Sequence, residues 1–476
     1  MRHESADIVI MGAGLAGLVA ANRATELGAS VILLEAGSGA KYRANSRFTG
    51  GVFHIAFEDI TAGPAKLEAA IARVSNGYSD PDLVAAYARD AGRAVEWLAH
   101  NGAQFGQGGE PPWMSRMLTP FSLREPGFSN HWPDKGADRL LDHLAEKLQQ
   151  RGGRFLRGHR GQSLLMRDGT CVGLRAADAE NTPVELATKA VIIADGGFQG
   201  NHELVRRYIS PQPEKLCARG AGTGMGDGML MAEAVGARLV GLGSFYGHVQ
   251  ASEAIENDGL WPYPILDILG SSAIIVGPDG RRFTDEGLGG VPLANAIAKL
   301  PDPLSSFVIF DQAIWDGPGK SFLLPPNPTF LERGVRIFSD ETLEGLANQL
   351  EMPFGPLAET LATYNVALAD GETARLEPPR TVRADTLAGA AHPVVGGPYM
   401  AIRLCAGITY TMGGIAIDAD ARVISNEGSA IPGLFAAGSA TGGLDGGPEA
   451  VYLGGLARAA TFGLRAGESA AGHFSH

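Results

Sequence analysis

The first thirty-five residues leave few folds open. Asp7-Ile8-Val9-Ile10-Met11 is an apolar run of the kind buried in parallel sheets. It passes directly into Gly12-Ala13-Gly14-Leu15-Ala16-Gly17, then into a helix-period segment, Leu18 to Leu27, closed by Gly28. A second apolar run, Ser30 to Leu34, ends in Glu35. This is the βαβ fingerprint of a dinucleotide site. Gly12 permits the tight turn, Gly14 lets the backbone approach a pyrophosphate, and Gly17 lets helix and strand pack closely. The helix start offers free N–H groups and a partial positive charge to phosphate. Glu35 stands where a carboxylate accepts hydrogen bonds from a ribose diol. A ligand-free turn would need only the glycines; here strand, glycines, helix, strand and acid occur together. The fingerprint alone leaves NAD and FAD open, and its N-terminal place in a chain of this length leans towards FAD.

A chain of 476 residues exceeds one simple core, so two domains are expected. The formal net charge of -13 argues against nucleic acid and against an anionic membrane surface as partners. Cys171, Cys217 and Cys405 lie far apart with no CxxC spacing, which offers no metal or cluster site and suits a reducing compartment. No apolar run reaches transmembrane length, and a first strand near residue 7 leaves no room for a signal peptide. The expectation is a cytoplasmic protein whose electron acceptor or donor is a soluble partner or small molecule.

After Glu35, Lys41-Tyr42-Arg43-Ala44-Asn45-Ser46-Arg47-Phe48-Thr49-Gly50-Gly51 reads as a ligand loop, because small polar residues and paired glycines follow the second strand directly. Residues 64–104 have helical period, with Asp80-Pro81 starting one helix and Asn101-Gly102 ending it. Residues 107–133 are rich in Gly, Pro and aromatics, among them Trp113, Phe121, Phe128 and Trp132, and read as irregular structure over a site or a packed loop. Asp138 to Gln150 is an amphipathic helix, and Asp168-Gly169 marks a hairpin. Ala190 to Ala194 is another buried strand, and it delivers Asp195-Gly196-Gly197 to the same site. Asp227 opens a helix, Met229 to Val235, either as its N-cap or as a ligand to the cofactor. Residues 241–395 lack nucleotide turns and read as an inserted cap, with helices near 341–350 and 355–369. Glycine-rich sequence returns at Gly396.

The C-terminal third supports a resemblance. Ala406-Gly407-Ile408-Thr409-Tyr410-Thr411-Met412-Gly413-Gly414, Asp418 to Val423, and Ile431-Pro432-Gly433-Leu434-Phe435-Ala436-Ala437-Gly438 resemble the fumarate reductase/succinate dehydrogenase flavoprotein superfamily. Asn45-Ser46-Arg47, Phe245-Tyr246-Gly247-His248 and Ile408 to Thr411 look most like its tricarballylate dehydrogenase branch, and Tyr452-Leu453-Gly454-Gly455 is similar to ketosteroid dehydrogenases. The resemblance implies an α/β fold. A Rossmann-like FAD-binding domain of the glutathione reductase type, residues 1–240 and 396–476, would carry an α+β cap, 241–395. It implies FAD with its adenosine end on Gly12, Ala13, Gly14, Ala16, Gly17, Glu35 and Ala36. Asn45, Ser46, Gly50 and Gly51 would hold the pyrophosphate and approach the ring. Asp195, Asp227, Gly438, Ser439 and Leu456, at a helix start, would close the site. The family's covalent flavin histidine is missing from Arg43 to Gly51, so FAD is expected to be noncovalent.

The departures from the family are as informative. The Glu–Arg–Arg proton relay of fumarate reductases falls on Leu266, Leu269 and Gly290. The histidine before Thr-Met-Gly-Gly is Tyr410, and the carboxylate-clamping arginine is Tyr452; only the cap histidine, His248, is kept. A buried dicarboxylate without those arginines lacks charge-assisted hydrogen bonds. Tyr410, Tyr452 and His248 suit a ketone or a loosely held carboxylate: donors polarise a carbonyl, a base takes the adjacent proton, and hydride leaves the next carbon for flavin N5. Each has a structural alternative as a core side chain. Arg43 and Arg47 fit either a carboxylate or the pyrophosphate, and Asp445 and Glu449 read as surface charges before they read as bases. The expected function is FAD-dependent desaturation of a small organic acid or ketone. Reduction of an activated alkene by the same site, or an electron-carrier subunit without its own substrate, are the alternatives.

Overall fold

The computed structural model describes residues 2–122, 132–257, 260, 266–320, 333–381 and 388–473. Phe128 and the segment from Phe322 to Phe330, a stretch that could reach a pocket, lie outside these residues. The opening apolar run forms the strand Ile8–Met11, buried at all four positions. It lies inside a six-stranded sheet in the order Arg422–Ile424, Ala430–Ala436, Ala190–Ile193, Ile8–Met11, Val31–Glu35, Arg154–Arg157. All pairs are parallel except the antiparallel edge strand Arg422–Ile424. The C-terminal ends of three central strands therefore bring Gly12, Glu35 and Asp195 to one edge, where open parallel sheets bind ligands.

The first helix runs over Leu15–Glu26, three residues earlier than the periodicity predicts. Gly17 lies within it, since Gly14 is the N-cap and the Leu15 N–H finds an acceptor in Ser46 Oγ at 3.0 Å. The glycine costs the helix about 0.5–1 kcal/mol, but no other residue fits: a Cβ there would lie 1.9 Å from the Gly12 carbonyl oxygen. The C-terminal helix Gly455–Gly472 packs on it closely, and Cβ atoms at Gly463 or Gly467 would come 2.6 Å from the carbonyls of Ala16 or Ala20. The 64–104 region is two helices, Pro64–Ser75 and Pro81–His100, the second capped by Asp80 as its Asp-Pro start predicts. The Asp168-Gly169 turn joins strands Arg160–Arg167 and Thr170–Ala177 in a separate four-stranded sheet that also recruits Arg2–Ser5. The helices near 341–350 and 355–369 are Leu343–Gln349 and Phe354–Asp370.

A third sheet is built on the thirteen-residue strand Tyr399–Thr411. Phe245–Ala251, Phe307–Asp311 and Phe338–Asp340 pair with it antiparallel and Cys217–Ala218 in parallel; Ile274–Val276 extends the sheet beyond Phe307–Asp311. This sheet crosses the expected 241–395 boundary on both sides, because its central strand comes from after Gly396 and one edge from before Gly241. A thirteen-residue strand needs backbone partners on both flanks, and these come from separate chain segments between Cys217 and Asp340. Among the described residues no helix is long and apolar enough to cross a membrane, and no cluster of His, Cys, Asp or Glu could hold a metal ion.

The ligand loop is held by a buried ion pair. Arg47 is 1% exposed, contacts Asp138 and, at 3.0 Å, Asp142 of the helix Gly136–Gln150, and stacks over the Tyr42 ring. Asp138 also takes Lys41 Nζ at 2.7 Å and the Asp134 N–H at 2.8 Å. A carboxylate or the pyrophosphate was the partner expected for Arg47; its guanidinium pairs instead with Asp138 and Asp142, which tethers Asn45 and Ser46. Arg47→Met leaves Asp138 buried without its closest cation and is expected to destabilise the fold by about 3–5 kcal/mol in denaturant titration.

Candidate active site

Two adjoining cavities, of about 410 and 160 Å3, share Asn45, Ser46, Ser439 and Ala459 as walls and so form one elongated site. The larger lies at the sheet edge and is lined by Gly12, Ala13, Gly14, Ala16, Glu35, Ala36, Asp195, Asp227 and Gly438. At Gly12 its floor admits no side chain. Gly12 has φ +98, and a Cβ there would lie 2.5 Å from the Ala194 carbonyl oxygen. The Leu15–Glu26 helix has no side-chain hydrogen bond from its N-cap and aims its start at the cavity. This is a cradle for a dinucleotide diphosphate. Glu35 is anchored by the N–H groups of Ala13 (3.2 Å) and Gly37 (2.8 Å), and burial raises its pKa.

Asp227 is not the N-cap of its helix; Gly226 is. Its carboxylate instead makes a two-point ion pair with Arg160 at 2.6 and 2.8 Å on the cavity wall. Beside it, Asp195 accepts from the Gly228 N–H at 2.8 Å, and desolvation pushes its pKa up to about 7. Gly17 and Gly51 do not line either cavity. Gly17 serves packing, and Gly51, with φ +79, is turned onto Leu118, where a Cβ would meet the Leu118 side chain at 3.1 Å. Arg43 donates to the Ala221 carbonyl at 2.9 Å.

The smaller cavity is bounded by Thr49, Gly50, Arg219, Tyr246, His248, Thr409, Tyr410, Tyr452, Gly455 and Leu456. Three tyrosines crowd one wall. Tyr246 stacks on Tyr452 with centroids 4.0 Å apart and leans on Tyr410 at 5.3 Å. The antiparallel ladder sets Tyr246 opposite Tyr410. His248, two residues on, shares that face; its Nε2 is 3.1 Å from the Tyr246 hydroxyl and its Nδ1 is 2.5 Å from Asp267 Oδ2. Asp267 Oδ1 takes the Val249 N–H at 2.9 Å. Because a carboxylate only accepts, Nδ1 carries the proton and Nε2 accepts from Tyr246. Burial holds the His248 pKa below its ordinary value, with Arg219 acting in the same direction and Asp267 against it.

Tyr452 accepts the Gly455 N–H at 3.2 Å, which points its oxygen at the start of the C-terminal helix, and burial lifts its pKa to about 12. Tyr410 donates its proton at 3.4 Å to Asp445, which also pairs with Arg458 at 2.9 Å and takes the Leu453 N–H at 3.1 Å. The surface reading of Asp445 is thus overturned: it is fully buried, because the turn Gly446–Val451 folds back over it. Glu449 is half-buried. Tyr410 lines the cavity with its ring, while its hydroxyl is committed to Asp445.

Sequence reasoning brought Tyr410, Tyr452 and His248 forward but missed Tyr246, Asp267, Arg219 and the Asp445–Arg458 pair. A signal for Tyr246 was present, since strand alternation puts residues 246 and 248 on one face. Asp267 offered none. A Cβ on Gly290 would lie 1.9 Å from its carboxyl carbon, so the carboxylate fills the space a side chain at 290 would need. The expected loss of a charged group at 290 and the presence of Asp267 are one packing event.

Gly17→Ala is expected to abolish cofactor retention, because its methyl group must push the first strand's turn away from the helix. The purified protein should lack the visible flavin absorption band. Retention of normal flavin content by the variant would contradict this geometry.

Residues 7–450 match the family described as FAD binding domain. The chain is 27% identical over 98% of its length to NADH:fumarate oxidoreductase of Klebsiella pneumoniae, but it spans only 48% of that protein. It is 26% identical to 4-oxocyclohexanecarboxylate 2-dehydrogenase of Sinomonas cyclohexanicum, over 98% of this chain and 93% of that one. Among solved structures, the open conformation of a flavocytochrome c3 fumarate reductase superposes with a TM-score of 0.67 at 25% identity, covering 99% of this chain and 79% of the other. With the cradle and the family match in agreement, the chain is an FAD-binding member of the fumarate reductase/succinate dehydrogenase flavoprotein superfamily.

Proposed function

We propose that this protein combines a Rossmann-like FAD-binding domain of the glutathione reductase type with an α+β cap, and desaturates a small organic acid or ketone next to its carbonyl. The observation that carries this reading is the Tyr452–Tyr246–His248–Asp267 array on one wall of the cavity next to the dinucleotide cradle. Tyr452 is held neutral by burial and oriented by the Gly455 N–H; its hydroxyl also interacts with Tyr246, and on substrate binding its proton turns to the substrate carbonyl. A donor at that oxygen stabilises the developing enolate and acidifies the α C–H. Tyr246 takes the α proton as its own passes to His248 Nε2, and Asp267 stabilises the resulting imidazolium through Nδ1. FAD, when bound, supplies the acceptor for the hydride leaving the adjacent carbon. The substrate thus loses one proton to the chain and a hydride to the cofactor, and gains a C=C bond. An external two-electron acceptor of small-molecule class restores the cofactor.

The same array protonates the α-carbon of an enone or enoate when electrons arrive instead of leave. Relatives named as reductases favour that direction, and the electron partner decides it. We further propose that FAD is bound without a covalent link, since the segment Arg43 to Gly51 has no histidine.

Anaerobic mixing with saturated cyclic ketones and acids tests the desaturase reading: bleaching of the flavin band with formation of the matching alkene is expected. Oxidation of chemically reduced enzyme by an enone or enoate, without the first result, selects the reductase direction. Failure in both directions leaves the carrier reading. Tyr452→Phe should lower kcat by about 10²–10³-fold, and Tyr246→Phe by about 10²–10⁴-fold, with flavin content unchanged. The neutral imidazole is the working form, so the rate should fall as pH drops below 6.5, the ordinary histidine value that burial depresses, and His248→Asn should remove that limb. Acid precipitation should leave FAD in the supernatant; flavin remaining in the pellet would show a covalent bond.

A further inference from the structure

We infer that Arg219 is a carboxylate anchor, and that the substrate is an oxo acid whose ketone is held by Tyr452 and whose carboxylate is held by Arg219 in the smaller cavity. This deepens the proposed desaturase reading and rests on it. Three observations converge on Arg219. It is 6% exposed and yet lines the same cavity as Tyr246, His248, Tyr410 and Tyr452. Its Nη1 donates to Thr409 Oγ1 at 3.2 Å, and its backbone N–H donates to the Ile408 carbonyl at 2.8 Å, so both ends of the residue are tied to the strand Tyr399–Thr411. The side chain crosses that strand at Gly407: a Cβ there would lie 2.4 Å from Arg219 Cδ and 3.1 Å from Cγ. Gly407 stands opposite His248 in the ladder. The strand has given up a side chain at this register, which lets the guanidinium reach the wall where His248 stands and lower that imidazole's proton affinity.

A guanidinium in a desolvated cavity favours an anionic ligand, and its planar fork of donors matches a carboxylate. It stands apart from the position of the family's carboxylate clamp, which is Tyr452 here. The carbonyl-polarising hydroxyl of Tyr452 and the cation of Arg219 are thus two separate grips. A neutral ketone would use one and a simple dicarboxylate would leave the tyrosine without its carbonyl, whereas an oxo acid uses both. The chemistry at the reacting bond is unchanged: α proton to the chain, β hydride to the cofactor. The anchored carboxylate stays outside the bonds made and broken.

The test compares 4-oxocyclohexanecarboxylate with cyclohexanone on the FAD-loaded enzyme. Cyclohexanecarboxylate serves as a carboxylate probe, its Kd read from the perturbation of the flavin spectrum. Wild type should prefer the oxo acid. Arg219→Gln should cut the oxo-acid-to-ketone ratio of kcat/KM by roughly 10- to 100-fold and weaken the probe by a similar factor. Arg219→Lys should recover part of both. Gly407→Ala should mimic Arg219→Gln, with flavin content reporting that the fold is intact. Equal losses on both substrates, or a probe Kd unmoved in Arg219→Gln, would overturn the inference. Preference of wild type for cyclohexanone would overturn it while sparing the desaturase reading. Arg219-dependent probe binding without turnover of any saturated or unsaturated substrate would keep the anchor and sink the desaturase reading.

Discussion

The backbone hydrogen bonding of the strand Tyr399–Thr411 holds this site together. Its buried N–H and C=O groups must be paired, and the partners that pair them bring the site residues with them. The antiparallel partner Phe245–Ala251 carries Tyr246 and His248. The parallel partner Cys217–Ala218 is followed by Arg219, whose N–H continues the ladder onto Ile408. Asn45 of the ligand loop donates to the Thr409 carbonyl at 2.9 Å and accepts the Ala221 N–H at 2.7 Å, which stitches the cofactor cradle to the same strand. Tyr410 comes from the strand itself. One thirteen-residue element therefore sets the mutual distances of groups drawn from four remote parts of the chain.

In or behind the cavity walls, charges are buried in pairs. Arg47 with Asp138 fixes the loop that bears Asn45 and Ser46, Arg458 with Asp445 fixes the turn that bears Tyr452, and Arg282 with Glu286 fixes the segment ahead of Gly290. Buried ion pairs add little net stability, because desolvation offsets most of their attraction. What they do here is positional: removing one partner leaves the other stranded, so each loop has a single low-energy placement. Loops so held need not rearrange when substrate arrives, which suits a site that works through preoriented donors.

The parts of this arrangement that were legible in the sequence share one property: they are local. The turn at Gly12, the strand at Ile8–Met11 and the hairpin at Asp168-Gly169 follow from neighbouring residues and their period. Asp80 caps its helix as its sequence predicts. Asp227 does not, because Arg160, sixty-seven residues away, offers its carboxylate a better partner than a helix N-terminus does. Asp445 looked like a surface charge because it lies among glycines and a proline; only the Gly446–Val451 fold-back and Arg458 put it inside. Gly51 looked like a cofactor glycine, and its positive φ serves a contact with Leu118 instead.

By itself the sequence determined the parallel βαβ unit and the dinucleotide site at its C-terminal edge, while its resemblance to a known family added FAD and the expectation that Tyr410 and Tyr452 replace charged groups of fumarate reductases. These depend on short-range sterics: where only glycine fits, where a helix must start, which side chains can carry a proton. The tertiary structure alone decided which groups act together. Tyr246 joins His248 because strand alternation gives them one face, but Asp267 reaches His248 only because Gly290 leaves it room, and Arg219 reaches the cavity only because Gly407 does. Such vacancies have no signature of their own along the chain, since a glycine that makes way for a distant side chain reads the same as one that makes a turn.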